Sequence, residues 1–220
     1  MATSIKAVIF DMDGLMIDSE GKQSLAIEQL LREHGVEPVL TAQGIVHIAG
    51  MRVADNLRRL KDRHQIPVSL DTLHARKDEL YRQMLAQNVD VAPGLRQLLN
   101  DLGKAPAKKA LASGSSKPDI EIVLRHLKLE DYFGAVVSGY EVPRGKPAPD
   151  IFLEAARRLK VDPARCVVLE DSGTGVQAAK AAGMRVIAVP NRYTQDHDFD
   201  AADLVVGSLE ELGWKVIKAL

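Results

Sequence analysis

Short apolar runs that alternate with amphipathic segments limit the possible folds of this chain more than any other feature. Five runs of strand length, KAVIF, KKALA, GAVVS, CVVLE and RVIAV, are apolar almost throughout, as parallel strands covered on both faces are. Segments of helical period separate them, and GLRQLLNDLG, for example, repeats leucine on one face and ends at Gly103. The alternation predicts an α/β fold, a doubly wound parallel sheet with right-handed crossover helices.

One region interrupts this alternation. From residue 19 to residue 88 the helical periods continue without a convincing strand, and SLAIEQLLREHG, ADNLRRLKD and LDTLHARKDELYRQML are amphipathic. We therefore expect a helical insert after the first strand, docked on the rest of the chain. The predicted boundaries are residues 1–16 and 89–220 for the core and residues 17–88 for the insert.

The composition excludes several classes of protein. Of 220 residues, 46% are hydrophobic and 27% charged, and the net charge is −1, which gives no general attraction to nucleic acid or to an anionic membrane. The single cysteine, Cys166, excludes an internal disulfide and a cysteine-rich zinc site. No apolar run is long enough to span a membrane, and the first ten residues lack the layout of a signal peptide. We therefore expect a cytoplasmic protein.

Polar residues stand where the predicted strands end. Asp11 follows KAVIF, Ser113 follows KKALA, and CVVLE ends in Glu170 with Asp171 next to it; Lys146 lies in GYEVPRGKPAPD, after GAVVS. Because the carboxyl ends of parallel strands meet at one edge of the sheet, we expect these side chains to lie close together. Carboxylate oxygens are suited to a hard divalent cation, and this predicts a Mg²⁺ site.

Two of the acids lie one residue apart, Asp11 and Asp13 in VIFDMDG. In an extended segment they point to the same side, where their charges repel each other. A nearby cation, a shared proton or exposure to water can each relieve this repulsion. The two residues alone leave these possibilities open.

Two other interpretations of these segments fit less well. DMDGLMIDS is a poor calcium loop, because its glycine is fourth and Leu15 fifth. GTGVQA, residues 173–178, resembles a dinucleotide fingerprint, but two acids precede it and the next strand ends in Pro190 and Asn191 without a ribose-binding acid. A glycine-rich helix start that permits close packing is the better interpretation. A dinucleotide-dependent oxidoreductase stays as an alternative that a thermal shift with NAD tests.

Four motifs occur together: DMDGLMIDSE, LASGSSK, RGKPAPDIF and VLEDSGTGVQAAKAAG. In their order and separation the chain resembles the haloacid dehalogenase (HAD) superfamily, most closely its β-phosphoglucomutase-like branch of phosphatases and phosphomutases with a helical cap. The insert corresponds to that cap. The resemblance implies a magnesium-dependent phosphatase that hydrolyses small phosphate monoesters, sugar phosphates in particular, through an aspartyl-phosphate intermediate.

The same resemblance implies a role for each core residue. Asp11 is the nucleophile and Asp13 the general acid/base, and the second aspartate indicates phosphoryl transfer because dehalogenases, which expel halide without a proton, lack it. Mg²⁺ is bound by Asp11, the backbone carbonyl of Asp13, Glu170 and Asp171. The phosphate ligands are Ser113, Gly114 and Lys146.

The insert is expected to choose the substrate. Its polar candidates are Glu20, Gln23, His47, Arg52 and Lys77, and by resemblance Arg52, in IAGMRVADNL, and Lys77 contact the substrate. The expected partner is a small phosphorylated metabolite, with no nucleic acid and no membrane, and the chain is expected to be a monomer.

Two alternatives to hydrolysis remain. In a β-phosphoglucomutase-like phosphomutase, a histidine is expected where this chain has Gln23 and an arginine where it has Val53. These differences favour hydrolysis, because water reaches the intermediate more readily when the acid/base is less tightly coupled to closure of the cap. A non-catalytic phosphate-binding protein is disfavoured because Asp11, Asp13 and Lys146 are all present.

Overall fold

The structure, a computed structural model, describes residues 4–41, 44, 46 and 53–220. Its strands form one parallel sheet in the order β3-β2-β1-β4-β5-β6. This confirms the predicted α/β class with a parallel sheet. The strands are β1 (Ala7–Phe10), β2 (Lys108–Ser113), β3 (Ala135–Ser138), β4 (Cys166–Glu170), β5 (Arg185–Ala188) and β6 (Leu204–Val205).

Helices connect the strands and cover the sheet. None of the helices in the described part of the chain is long and apolar enough to cross a membrane. The helices are α1 (Glu20–Glu33), α2 (Val53–His64), α3 (Leu70–Gln87), α4 (Leu95–Gly103), α5 (Lys117–Leu127), α6 (Asp150–Leu159), α7 (Gly173–Ala181) and α8 (Trp214–Ile217).

Alternate apolar residues of strands β1 to β5 pack into one of two cores, one on each face of the sheet. In β1, Val8 and Phe10 belong to one core, and Ala7 and Ile9 belong to the other, with α6 and α7. All four side chains are fully buried. Burial on both faces explains why the strands read as continuous apolar runs.

The segment between β1 and α4 contributes helices and no strand to the sheet within its described residues. Helices α1 and α2 each pack on α3, and the apolar core that contains Phe10 continues through Met12 and Leu15 to Leu31 and Leu80 of these helices. The helices therefore share a core with one face of the sheet.

All five predicted strands are present, but the sixth strand was not predicted. The strand β6 consists of Leu204 and Val205 at the edge of the sheet, and half of Val205 is exposed. Two partly exposed residues are too few to form a recognisable apolar run, so pairing with β5 is what defines this strand.

Candidate active site

The sheet places the predicted site residues at its carboxyl edge. Strand β1 lies between β2 and β4, with Phe10 in register with Leu111 on one side and Leu169 on the other. The residues that follow these positions, Asp11 among them, therefore emerge side by side.

Three buried carboxylates form the centre of the site. Asp11, Glu170 and Asp171 are each at most 4% exposed, and one oxygen of each lies within 4.8 Å of one oxygen of the others. Burial raises the pKa of Asp11 and of Asp171, and the repulsion between neighbouring carboxylates raises both further. Three oxygen ligands of this kind suit a hard divalent cation, whose charge would relieve the repulsion.

Lys146 supplies positive charge beside this cluster. Its Nζ donates to Asp11 Oδ1 at 2.5 Å and also to Glu170 Oε1, and it lies 5.1 Å from the centroid of the Phe152 ring. Burial alone would lower the pKa of Lys146, but the carboxylates of Asp11 and Glu170 outweigh burial and raise it above its usual value. The lysine is therefore a fixed cation.

Asp13 has a different environment from Asp11. Ser113 and Ser115 donate their hydroxyl groups to Asp13 Oδ2 at 2.9 and 2.7 Å, and Tyr81 of α3 donates to Oδ1 at 3.3 Å. The carboxylate of Asp13 is thus held by hydroxyl groups, apart from Lys146 and from the three clustered acids. The two aspartates, one residue apart, have separate sets of partners.

Two glycines let the backbone approach the acids closely. Gly14 has a φ of +83°, and a Cβ at this position would lie 2.2 Å from Asp171 Oδ2; a Cβ at Gly175 would lie 1.9 Å from Glu170 Cδ. Helix α7 begins at Gly173, and Ser172 caps it by accepting from the Gly175 N–H. The interpretation of GTGVQA as a helix start that permits close packing is therefore confirmed.

Two further residues secure the acids. Asn191 donates its Nδ2 to Asp171 Oδ2 at 2.8 Å and to the Gly14 carbonyl at 3.1 Å, while Ser172 donates its backbone N–H and its hydroxyl to Glu170 Oε2. Sequence analysis did not assign a site role to Asn191, Ser115 or Tyr81. The sequence holds one sign that could have drawn attention to Asn191. This residue comes shortly after the predicted strand RVIAV, as Asp11 comes directly after KAVIF.

A cavity of about 380 Å³ opens above the acids. Its wall on the sheet side includes Asp11, Asp13 and Lys146, and α1 and α2 supply the opposite wall. The loop after β3 contributes Tyr140, whose hydroxyl is hydrogen-bonded to His74 Nε2 of α3 at 2.9 Å. The α1 and α2 residues on the cavity wall are Glu20, Gln23, Ile27, Val53, Ala54, Asp55, Asn56 and Arg58.

The remaining predicted site residues have mixed placements. Gly114 lines the cavity, whereas Ser113 is fully buried below it and directs its hydroxyl to Asp13. Lys77 is 2% exposed, lies 4.5 Å from the centroid of the Tyr81 ring, and is not among the residues that line the cavity. Burial lowers the pKa of Lys77. Arg52, which is expected to contact the substrate, and His47, a further candidate, lie outside the described residues.

Comparisons with known proteins agree with this geometry. The sequence model of the haloacid dehalogenase-like hydrolase family matches residues 5–183. The chain is 35% identical over 96% of its length to a bifunctional riboflavin kinase/FMN phosphatase of Arabidopsis thaliana, but it spans only 56% of that protein. It is also 35% identical to the fructose-1-phosphate phosphatase YqaB of Escherichia coli, with 83% of the chain and 95% of YqaB covered.

Solved structures are similar over nearly the whole chain. CbbY from Rhodobacter sphaeroides in complex with phosphate superposes with a TM-score of 0.88 at 29% identity, covering 98% of this chain and 100% of CbbY. A β-phosphoglucomutase from Clostridium difficile superposes with a TM-score of 0.82 at 27% identity, covering 98% of this chain and 96% of the mutase.

Proposed function

The chain belongs to the haloacid dehalogenase-like hydrolases, and we propose that within this family it is a Mg²⁺-dependent phosphatase of small phosphate monoesters, with sugar phosphates as its substrate class. The family and its hydrolase chemistry, both expected from the four motifs, are confirmed by the match to residues 5–183. The finer statement rests on the site.

The observation that carries the proposal is the buried cluster of Asp11, Glu170 and Asp171 beside Lys146. A carboxylate about 4 Å from one negative charge is repelled by about 4 kcal/mol at an effective dielectric constant of 20, and a phosphate dianion roughly doubles this. Attack by a carboxylate on a phosphate therefore needs cations on both groups. The cluster offers ligands for one cation, and Lys146 is itself another.

In the proposed reaction the two aspartates have different tasks. An oxygen of Asp11 attacks phosphorus, and the bond from phosphorus to the ester oxygen breaks. Asp13 gives a proton to the departing alkoxide, which leaves as an alcohol, and the phosphoryl group stays on Asp11. Asp13 then takes a proton from a water molecule that attacks the phosphoryl group. Inorganic phosphate leaves and the Asp11 carboxylate is restored.

The side chains around the aspartates hold the reacting groups in place. Asp11, Glu170, Asp171 and the backbone carbonyl of Asp13 would hold Mg²⁺, which when bound supplies positive charge to the phosphoryl oxygens. Lys146 would neutralise further charge on the phosphate, and we assign Gly114, on the cavity wall, to the same group. The phosphate contact predicted for Ser113 requires its hydroxyl group to turn away from Asp13. The hydroxyl groups of Ser115 and Tyr81 orient Asp13.

The size of the cavity under the insert favours a small substrate. A cavity of about 380 Å³ is at the lower end of the range for small-molecule sites and fits a monosaccharide phosphate. YqaB, by its name, acts on fructose 1-phosphate, and this supports sugar phosphates for the present chain. We propose that residues 17–88 form a cap that encloses the substrate over a core of residues 1–16 and 89–220.

The test is release of inorganic phosphate from a panel of metabolite monoesters. We expect activity with Mg²⁺, loss of activity in EDTA, recovery with excess Mg²⁺, and inhibition by Ca²⁺, whose larger and looser ligand shell misaligns nucleophile and phosphorus. Full activity in EDTA would contradict the mechanism. Binding of phosphate without release from any monoester would indicate a non-catalytic phosphate-binding protein instead.

A phosphomutase is the second candidate, favoured by the similarity to β-phosphoglucomutase. Both enzymes would form the same aspartyl-phosphate, so the insert decides between them. Gln23 lies on the cavity wall and cannot act as an acid or base, which favours hydrolysis. Incubation with β-glucose 1-phosphate and a trace of the 1,6-bisphosphate separates the two: a phosphatase yields mainly free phosphate, and a mutase mainly glucose 6-phosphate.

A further inference from the structure

Gln23 is the polar side chain of the insert whose hydrogen bonding is incomplete at the cavity. It lies on the face of α1 that also carries Glu20, three residues before it, and Ile27, four residues after it, and all three line the cavity. Gln23 is 8% exposed, and its oxygen Oε1 is buried and accepts no hydrogen bond from any residue that the structure describes.

An amide oxygen buried without a donor is unfavourable, and a donor supplied by a ligand would remove the penalty. A turn of the carboxamide about its last side-chain bond exchanges its oxygen and its NH₂ group, so either can face a ligand in the cavity. A sugar or polyol hydroxyl both donates and accepts, as the carboxamide does. A hydroxyl group is therefore the natural complement of Gln23.

The charges on the described part of the cavity wall favour a leaving group that is otherwise uncharged. Among the lining residues that the structure describes, the cations are Lys146 and Arg58. Lys146 is paired with Asp11 and Glu170, and Arg58 Nη1 lies 3.2 Å from Asp55 Oδ1. A second phosphate on the substrate would find no unpaired cation on this part of the wall, and it would face the additional carboxylate of Glu20.

We propose that Gln23 is a specificity residue that hydrogen-bonds a hydroxyl group of an uncharged, polyhydroxylated leaving group. The proposal rests on the phosphatase function proposed above and names the chemistry that its cavity selects. It also has a consequence: monophosphates of sugars or polyols are preferred over their bisphosphates, because among the lining residues that the structure describes a second phosphate meets only anions and paired cations.

The experiment compares Gln23→Leu with Gln29→Leu on three probes. Leucine keeps the volume and apolar stem but removes the hydrogen bond, and Gln29 is an exposed glutamine of the same helix, so Gln29→Leu controls for the substitution itself. The probes are fructose 1-phosphate, sorbitol 6-phosphate and p-nitrophenyl phosphate, whose leaving group has no hydroxyl group to be recognised. Thermal unfolding checks that each variant is folded.

For whichever polyol phosphate the wild type prefers, we expect Gln23→Leu to lower kcat/KM about 10-fold and to leave p-nitrophenyl phosphate within about 2-fold. Monodeoxy analogues sharpen the result: the wild type should discriminate against the analogue that lacks the recognised hydroxyl, and Gln23→Leu should not. Gln29→Leu should match the wild type throughout.

Equal losses on all three probes, or retained discrimination among the deoxy analogues by Gln23→Leu, would overturn the proposal while leaving the phosphatase function intact. A wild type that prefers fructose 1,6-bisphosphate to fructose 1-phosphate would also overturn it. Absence of phosphate release from every probe by the wild type would instead refute the phosphatase function itself.

Discussion

The two walls of the cavity differ in how completely their polar groups are paired. On the sheet wall, Asp11 and Glu170 share Lys146, Asp13 accepts from three hydroxyl groups, and Asp171 accepts from Asn191. On the insert wall, Gln23 leaves its amide oxygen without a partner among the described residues, and the side chain of Arg58 is 60% exposed. We infer that the sheet wall is preorganised for the proposed reaction, whereas Gln23 on the insert wall has a hydrogen bond left to make with a substrate.

The difference follows from how each wall is built. The sheet wall consists of residues at strand ends, whose positions are fixed by the ladders of β1 with β2 and β4. The described part of the insert wall consists of faces of α1 and α2, and these helices share an apolar core with one face of the sheet. We therefore propose that chemistry and selectivity are carried by different parts of the chain.

Replacing Asp11, the proposed nucleophile, should have the largest effect of any change on the sheet wall. Asp11→Asn should lower phosphate release about 10⁴-fold or more, because the amide is a poor nucleophile and a poor metal ligand.

Asp13→Asn should still accept a phosphoryl group from p-nitrophenyl phosphate, whose leaving group needs no proton. Hydrolysis of the phosphorylated Asp11 should be about 10²–10⁴-fold slower, because no base takes the proton of the attacking water. Mass spectrometry after brief exposure should detect an adduct only where Asp11 is intact.

Asp131→Asn is the matched control, since Asp131 is exposed and we expect wild-type activity from it. An adduct on any residue other than Asp11, or an adduct in Asp11→Asn, would contradict the assignment of the nucleophile. A similar loss from all three aspartate substitutions would mean that the losses do not report the separate roles of Asp11 and Asp13.

How far the site can be predicted depends on how far apart its partners are along the chain. Asp11, Glu170 and Asp171 were found because each follows an apolar run, and parallel strands bring such positions together. Tyr81 was missed because it reaches Asp13 from 68 residues away, through the packing of α3, which no local pattern encodes. The substrate contact of Lys77 stays a prediction, and the amphipathic pattern of its helix does not reveal that its ammonium group lies over the Tyr81 ring.

The fold was more predictable than the site for a related reason. Apolar runs and helical periods are local properties, and five of the six strands and the helices α1, α2 and α3 could be predicted from them. The pairing of polar side chains across the cavity depends instead on tertiary contacts. Asn191 and Ser115 acquire their significance only from those contacts. Gln23 is a candidate from the sequence, but its unpaired amide oxygen is visible only in the structure.

A substitution of intermediate effect tests how tightly the sheet wall is packed. Gly175→Ala places a methyl group where Glu170 Cδ would be only 1.9 Å away, so Glu170 or the start of α7 must move. We expect a loss of about 1–3 kcal/mol in the free energy of unfolding, measured with urea, because such overpacking forces side chains and backbone from their positions. Phosphatase activity should fall with it, since Glu170 holds Lys146.

Gly103→Ala provides the comparison, because a Cβ at Gly103 has no neighbour within 4 Å. Its stability should be unchanged or higher by about 0.5 kcal/mol, as alanine is favoured over glycine in a helix. If Gly175→Ala were as stable and as active as Gly103→Ala, the sheet wall would be more adaptable than its contacts indicate.

The smallest effect is expected where the insert meets the core, between Arg82 of α3 and Asp119 of α5. Arg82 Nε donates to Asp119 Oδ1 at 3.0 Å, and Asp119 is 3% exposed, while the Arg82 side chain is 38% exposed. Arg82→Ala leaves a buried carboxylate without its guanidinium. We expect a loss of about 1–2 kcal/mol in the free energy of unfolding at pH 7, at the low end for a buried charge because Arg82 is partly solvated.

The pH dependence of this loss distinguishes it from lost packing. Burial raises the pKa of Asp119, so the folded state binds the proton of this carboxyl group more tightly than the unfolded state does. Ionisation of Asp119 therefore lowers the stability of the fold as the pH rises above the pKa of Asp119 in the unfolded state. Arg82 offsets that cost only where Asp119 is ionised. The difference between Arg82→Ala and the wild type in the free energy of unfolding by urea should therefore shrink as the pH falls toward about 4, where the carboxyl group is protonated.

The control is Arg157→Ala, which removes an exposed arginine paired with Glu154 and should leave stability unchanged both at pH 7 and at about pH 4. A constant difference for Arg82→Ala would mean that the insert is held on the core through the stem of the arginine and not through its charge.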